Sequence, residues 1–202
     1  FKQKTAYEIR NCDWSSDVCS SDLRAMSPLR RTLQKLPAPL KRALQERLYP
    51  ALLPEGETAP EWHLQSWDDS WHRLGKHWSV LVFYPDDGGE ADTAQLQEFQ
   101  AHLADFKRLK VEVFGFNGAE APSHKAFADA AGITFPLLTD RGGSVARQFR
   151  ACLQIPTMPM YLRTVYLVNP ERKIRLGNRG TPSVAAIVRS VEALQQASRT
   201  GM

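Results

Sequence analysis

The most constraining feature of the chain is the run from Trp78 to Phe99, W-S-V-L-V-F-Y-P-D-D-G-G-E-A-D-T-A-Q-L-Q-E-F. Ser79 to Tyr84 is short, apolar and rich in Val, Leu and aromatic residues, the composition of a strand buried on both faces. Pro85 stops it, and Asp86 to Gly89 is turn chemistry. Asp92-Thr-Ala-Gln95 then reads as the opening of an amphipathic helix, with Asp92 as N-cap and Gln95 closing a capping box. A strand that turns into a helix N-terminus presents free N–H groups and the positive end of a dipole, so this junction is a candidate site for an anion.

The remaining segments follow the same alternation. Leu96, Phe99, Leu103 and Phe106 recur at spacings of three and four, which predicts one helix over 93–110. Val111 to Phe116 is the next strand. Pro122 to Ala131 is a helix stopped by Gly132. Phe135 to Asp140 is extended and Ser144 to Phe149 a short helix. Arg163 to Pro170 pairs through a turn with Ile174 to Leu176, and Ser183 to Ala197 closes the chain as a helix. Strands and helices in this order specify an α/β fold with a central mixed sheet flanked by helices.

Residues 1–23 stand apart. Lys2 to Ile9 and Asp13 to Leu23 are the frame translations of the two constant parts of a short-read sequencing adapter, in their natural order. Such a segment is excluded from fold reasoning, and Met26 is the expected start of the native frame. Without these residues the formal charge rises from +4 to +5, and two of the three cysteines, Cys12 and Cys19, drop out. Cys152 alone cannot build a disulfide framework, a C-x-x-C motif or a cysteine zinc site. The remaining stretch of about 180 residues suits one domain with a full core. No apolar run reaches the ~20 residues of a membrane span, and no leader pattern follows Met26. A cytoplasmic location is therefore expected.

Residues 24–53 read as a basic helical extension. Leu29, Leu33, Leu36, Leu40, Leu44 and Leu48 form a stripe broken by Pro37 and Pro39, among Arg30, Arg31, Lys35, Lys41, Arg42 and Arg47. It is either a contact for an acidic membrane surface or protein partner, or an arm packed on the domain or at a dimer contact. Pro54 to Pro60 links it to a domain expected over 54–198.

Several motifs resemble the peroxiredoxins, the alkyl hydroperoxide reductase/thiol-specific antioxidant family, and above all its bacterioferritin-comigratory type. Phe83, Tyr84, Pro85, Thr93 and Gln95 fall in register with the family's F-Y-P-x-x-x-T-x-x-C-T-x-Q. Gly56-x-x-Ala59-Pro60-x-Trp62-x-Leu64, Ser123 to Asp140 and Arg163 to Pro170 resemble further family stretches. The resemblance implies a thioredoxin-like fold of peroxiredoxin type, a thiol-dependent peroxidase ancestry and a homodimer. It also locates the site at Pro85, Gly89, Asp92 and Arg163. At two of these positions the chain departs from the family: Gly89 stands for its threonine and Asp92 for its peroxidatic cysteine. Gln97 stands where one subfamily keeps its resolving cysteine.

Peroxide reduction of that kind needs a sulfur that can become a sulfenic acid and return, and a carboxylate cannot follow it. The expectation is a redoxin that has lost thiol peroxidase chemistry and acts by binding or assembly. The alternative is an active antioxidant oxidoreductase using Cys152 or a partner's thiol. Asp92 itself reads as an N-cap paired with Arg163, or as a fixed anion standing where an over-oxidised cysteine would. Cys152 reads as a small buried apolar residue. His63, His72, His77, His102 and His124 lack metal-ligand spacing, and neither Gly88-Gly89 nor Gly142-Gly143 carries a phosphate-loop lysine. Neither metal nor cofactor is expected. Trp62, Trp67, Trp71 and Trp78 read as packing around the first strands rather than as a nucleic-acid platform.

Overall fold

The computed structural model describes residues 37, 39–40, 48–153 and 159–200. The expected adapter segment and nearly all of the basic extension lie outside these residues. By internal contacts the chain divides into a unit at Phe1–Glu46 and a unit at Arg47–Met202, and the second carries the fold.

The second unit opens with a small antiparallel hairpin, β1 (His63–Gln65) and β2 (Trp71–Arg73), joined through Asp68-Asp69-Ser70. The central strand β3 (Trp78–Phe83) follows. Beyond it come α1 (Glu90–Ala101), α2 (Leu103–Arg108) and β4 (Val111–Asn117). Next are α3 (Ala121–Ala131), β5 (Leu137–Thr139) and α4 (Ser144–Gln148). The chain closes with β6 (Thr164–Val168), β7 (Ile174–Arg179) and α5 (Val184–Thr200). The main sheet has the order β5-β4-β3-β6-β7. β3, β4 and β5 run parallel, while β6 and β7 return antiparallel.

β3 sits in the middle of this sheet, and its period of two sends alternate residues into two separate cores. Val80 and Val82 face a cluster made with Leu96, Phe99 and Phe106 of α1 and α2 and with Ile187 and Val191 of α5. Leu81 and Phe83 face the other, made with Phe114, Phe116, Phe149, Cys152 and Tyr166. The continuous apolar run, with no polar alternation, is what a strand covered on both sides requires.

One sequence expectation changes. The helix expected over 93–110 is two helices that meet at His102, whose φ of −96° and ψ of 8° leave the α region. The apolar stripe passes through the bend, so Leu96, Phe99, Leu103 and Phe106 still share one core. The residue before Pro54 takes part in the packing of this unit. Leu53 is 5% exposed and belongs to the core, its N–H donates to the Tyr166 hydroxyl at 3.1 Å, and that hydroxyl donates to the Phe149 carbonyl at 2.8 Å. Gly132 closes α3 as expected, in the left-handed conformation at φ 70° that glycine adopts without a Cβ penalty.

Tyr166→Phe removes the hydroxyl that serves both Leu53 and Phe149 and strands two buried backbone groups. We expect a loss of about 1–3 kcal/mol, read as a lower urea midpoint at unchanged m-value.

Candidate functional site

The site lies where β3 ends and α1 begins. Phe83 pairs with Thr164 across the antiparallel β3–β6 ladder, so Arg163, the residue before Thr164, stands next to the end of β3. Pro85 starts the turn that leaves the strand. The chain enters α1 from Gly89, which is the N-cap in an extended conformation at φ −60° and ψ 135° and makes no side-chain cap hydrogen bond. The first helical bond runs from the Thr93 N–H to the Gly89 carbonyl at 2.8 Å.

Asp92 is thus not the N-cap that the sequence pattern predicts, and it forms no capping box with Gln95. It stands in the first turn and points inward, 1% exposed. Its Oδ1 lies 2.8 Å from Nε of Arg163, and both side chains are almost wholly out of water. The capping rule weighs the residue type at a helix start, but here the opposite charge buried behind the helix decides where the carboxylate goes. Glu90 and Asp92 also place two negative charges in the first turn, where the helix dipole favours them. Gln95, three residues on, is buried as well at 3%.

A second polar cluster adjoins this pair and was not picked out from the sequence. Asp87, in the turn after β3, accepts from the Tyr84 hydroxyl at 2.9 Å and from the Asn117 side-chain amide at 2.8 Å through Oδ1. Its Oδ2 accepts from the Ser123 hydroxyl at 2.8 Å and lies 3.0 Å from Nδ1 of His124. His124 is fully buried. Because a carboxylate only accepts, this contact assigns the proton to Nδ1. Burial alone would raise the Asp87 carboxyl. The hydrogen bond and charge of His124, with the bonds from Ser123 and Tyr84, outweigh it and hold the carboxyl below its ordinary value. Burial first, and then the charges of Asp87 and Asp92, push the Tyr84 hydroxyl well above its ordinary value. The signal that could have found this cluster is helical spacing. His124, Phe127 and Ala128 share the buried face of α3, and a histidine on an apolar face needs a partner.

The structure brings Gly89 and Arg163 each against Asp92, with Pro85 at the start of the turn that leads to them. It keeps Cys152 away from them. Cys152 is fully buried in the core on the opposite side of β3 from α1. Burial, with a contribution from Asp140, raises its thiol pKa against the opposing pull of Arg147. Among the described residues no group of His, Cys, Asp and Glu side chains is arranged to hold a metal ion. Likewise, no helix among them is long and apolar enough to cross a membrane.

The Asp87 carboxyl titrates lower in the folded chain than in the unfolded one, whose value is near 3.8. Its stabilisation is therefore complete above that pH and lost as pH falls through the folded value. We expect the urea midpoint to fall as pH drops below about 4 and Asp87→Asn to flatten that part of the profile.

Three comparisons bear on kinship. The AhpC/TSA family model matches residues 56–176. Chloroplastic peroxiredoxin Q of Triticum aestivum is 33% identical over 145 residues, which is 70% of this chain and 65% of that protein. Peroxiredoxin Bcp of Xanthomonas campestris is 27% identical over 125 residues, 55% of this chain and 76% of its own length. Among solved structures, peroxidoxin BcpB of Mycobacterium tuberculosis superposes with a TM-score of 0.65 at 21% identity, over 70% of this chain and 97% of that one. Enterococcus faecalis AhpC superposes with the same TM-score of 0.65 at 26% identity, over 73% and 96%. The matched span runs from the linker before β1 into β7 and holds all four residues of the strand–helix junction, and on that ground the chain belongs to the AhpC/TSA family of peroxiredoxins, with their thioredoxin-like fold.

Proposed function

We propose that this chain is a peroxiredoxin-like protein without thiol peroxidase chemistry, acting by binding or assembly. The observation that carries the reading is the buried Asp92–Arg163 pair, with 2.8 Å between Oδ1 and Nε, at the start of α1. In the resemblance set out above, that position belongs to the sulfur that attacks peroxide. Thiol peroxidase chemistry moves two electrons from a thiolate to the peroxide bond and leaves a sulfenic acid for a second thiol to reduce. A carboxylate has no lone pair of comparable nucleophilicity and no oxidation state to cycle through. It does supply a permanent negative charge that the Arg163 guanidinium and the helix dipole both favour.

Cys152 is poorly placed to take over. It sits in the opposite core with its pKa raised by burial, and the thiolate is the reactive form. A homodimer, and a protein partner for the basic extension at 24–53, belong to the same proposal. Light scattering on the full chain tests the first and is expected to give the mass of two chains.

The decisive assay is consumption of hydrogen peroxide and of an alkyl hydroperoxide by the full chain, with thioredoxin or dithiothreitol as reductant and Cys152→Ser as control. We expect no turnover above a heat-killed blank. Turnover that disappears in the serine variant would overturn the proposal and make Cys152 the nucleophile.

A further inference from the structure

Gly89 poses a question that its backbone does not answer. Its φ of −60° and ψ of 135° lie in the extended region open to every L-residue. The position is also an N-cap, where Ser, Thr, Asp or Asn would supply a side-chain acceptor, and glycine supplies none. What excludes a side chain is space. A Cβ placed on Gly89 would stand 2.6 Å from Oδ2 of Asp92 and 3.5 Å from its Cγ, and the first distance is far inside van der Waals contact.

The far end of a mobile side chain could swing away from such a clash. This one is held. Asp92 is 1% exposed, and its other carboxylate oxygen is fixed at 2.8 Å from the Arg163 guanidinium. Turning Oδ2 out of the way would move Oδ1 off a buried cation, which is costly in a water-poor site. A Cβ at 89 and a carboxylate paired at 92 therefore compete for one volume.

We propose that Gly89 and Asp92 are a coupled pair, in which glycine at 89 is the space required by the carboxylate that closes the site on Arg163. The two departures from the family pattern then count as one change. The site is built around the carboxylate, and the inference deepens the functional proposal by making Gly89 a positioning residue for the Asp92–Arg163 pair.

The test is a double-mutant cycle on the stability of the full chain. Gly89→Ala is expected to shift the unfolding equilibrium toward the unfolded state by roughly tenfold or more. In an Asp92→Ala background the same substitution is expected to cost nothing or to stabilise, because alanine at an allowed φ restricts the unfolded chain. Asp92→Ala alone leaves Arg163 buried beside no carboxylate and can prevent folding. Asp92→Ala with Arg163→Met removes both charges and serves as the second background.

Coupling in either background supports the pair. An equal cost of Gly89→Ala with and without the carboxylate, or no cost in the native background, overturns it. The cycle reads stability alone, so peroxide turnover in the assay above would sink the functional reading while leaving this result to stand or fall separately.

Discussion

The structure depends on β3 being buried on both faces. A strand in that position needs apolar residues on both faces, and Val80, Leu81, Val82 and Phe83 provide them. The arrangement also divides the interior. α1, α2 and α5 pack over Val80 and Val82, while α4, the chain at Leu53 and the segment around Cys152 pack over Leu81 and Phe83. The two chemical candidates of this chain, a carboxylate at 92 and a thiol at 152, end up on opposite sides of the sheet for that reason. Nothing in their sequence separation says so; the alternation along one central strand does.

A cluster of buried polar groups gathers at the C-terminal end of β3. Past Phe83 the ladder ends, and the chain turns through Pro85 to Gly89. Buried charges there persist only when paired. Asp92 is paired with Arg163, the residue just before the antiparallel neighbour β6, and Asp87 with His124 from α3. Each pair ties the turn to a different element. Tyr84 connects them, bonding to the Asp87 carboxylate while feeling the charge of Asp92. A helix start that in a solvent-exposed setting would be capped by a side chain is organised instead by two buried pairs.

Most of the fold was legible in the sequence because it rests on local patterns. Apolar runs marked β3, β4 and β6, helical spacing marked the stretch of α1 and α2, and Gly132 marked the end of α3. The misreadings arose where tertiary contacts override local preference. Asp92 is an excellent N-cap by residue type, yet a buried arginine more than seventy positions away draws it inside and Gly89 takes the cap. The bend at His102 leaves no mark in an apolar stripe that continues through it. The Asp87–His124 pair joins a turn to a helix across a sheet, a relation that spacing along the chain cannot express. The position of Leu53 in the core depends on a hydroxyl from Tyr166.

The outer strands of the sheet carry one more consequence. β5 is met on its free side by Ser66, bridged to Leu138. At the start of β7, Ile174 exchanges backbone hydrogen bonds with Gly56 and Glu57. At its far end, the Arg179 guanidinium donates to the carbonyls of Pro50 and Arg150. Exposed strand edges are templates for indiscriminate pairing, and here both rims are already engaged by the chain's own segments. A neighbouring molecule that extended this sheet at those points would first have to displace them. Contact there is left to side-chain surfaces, where the sequence, rather than the common backbone, selects the companion.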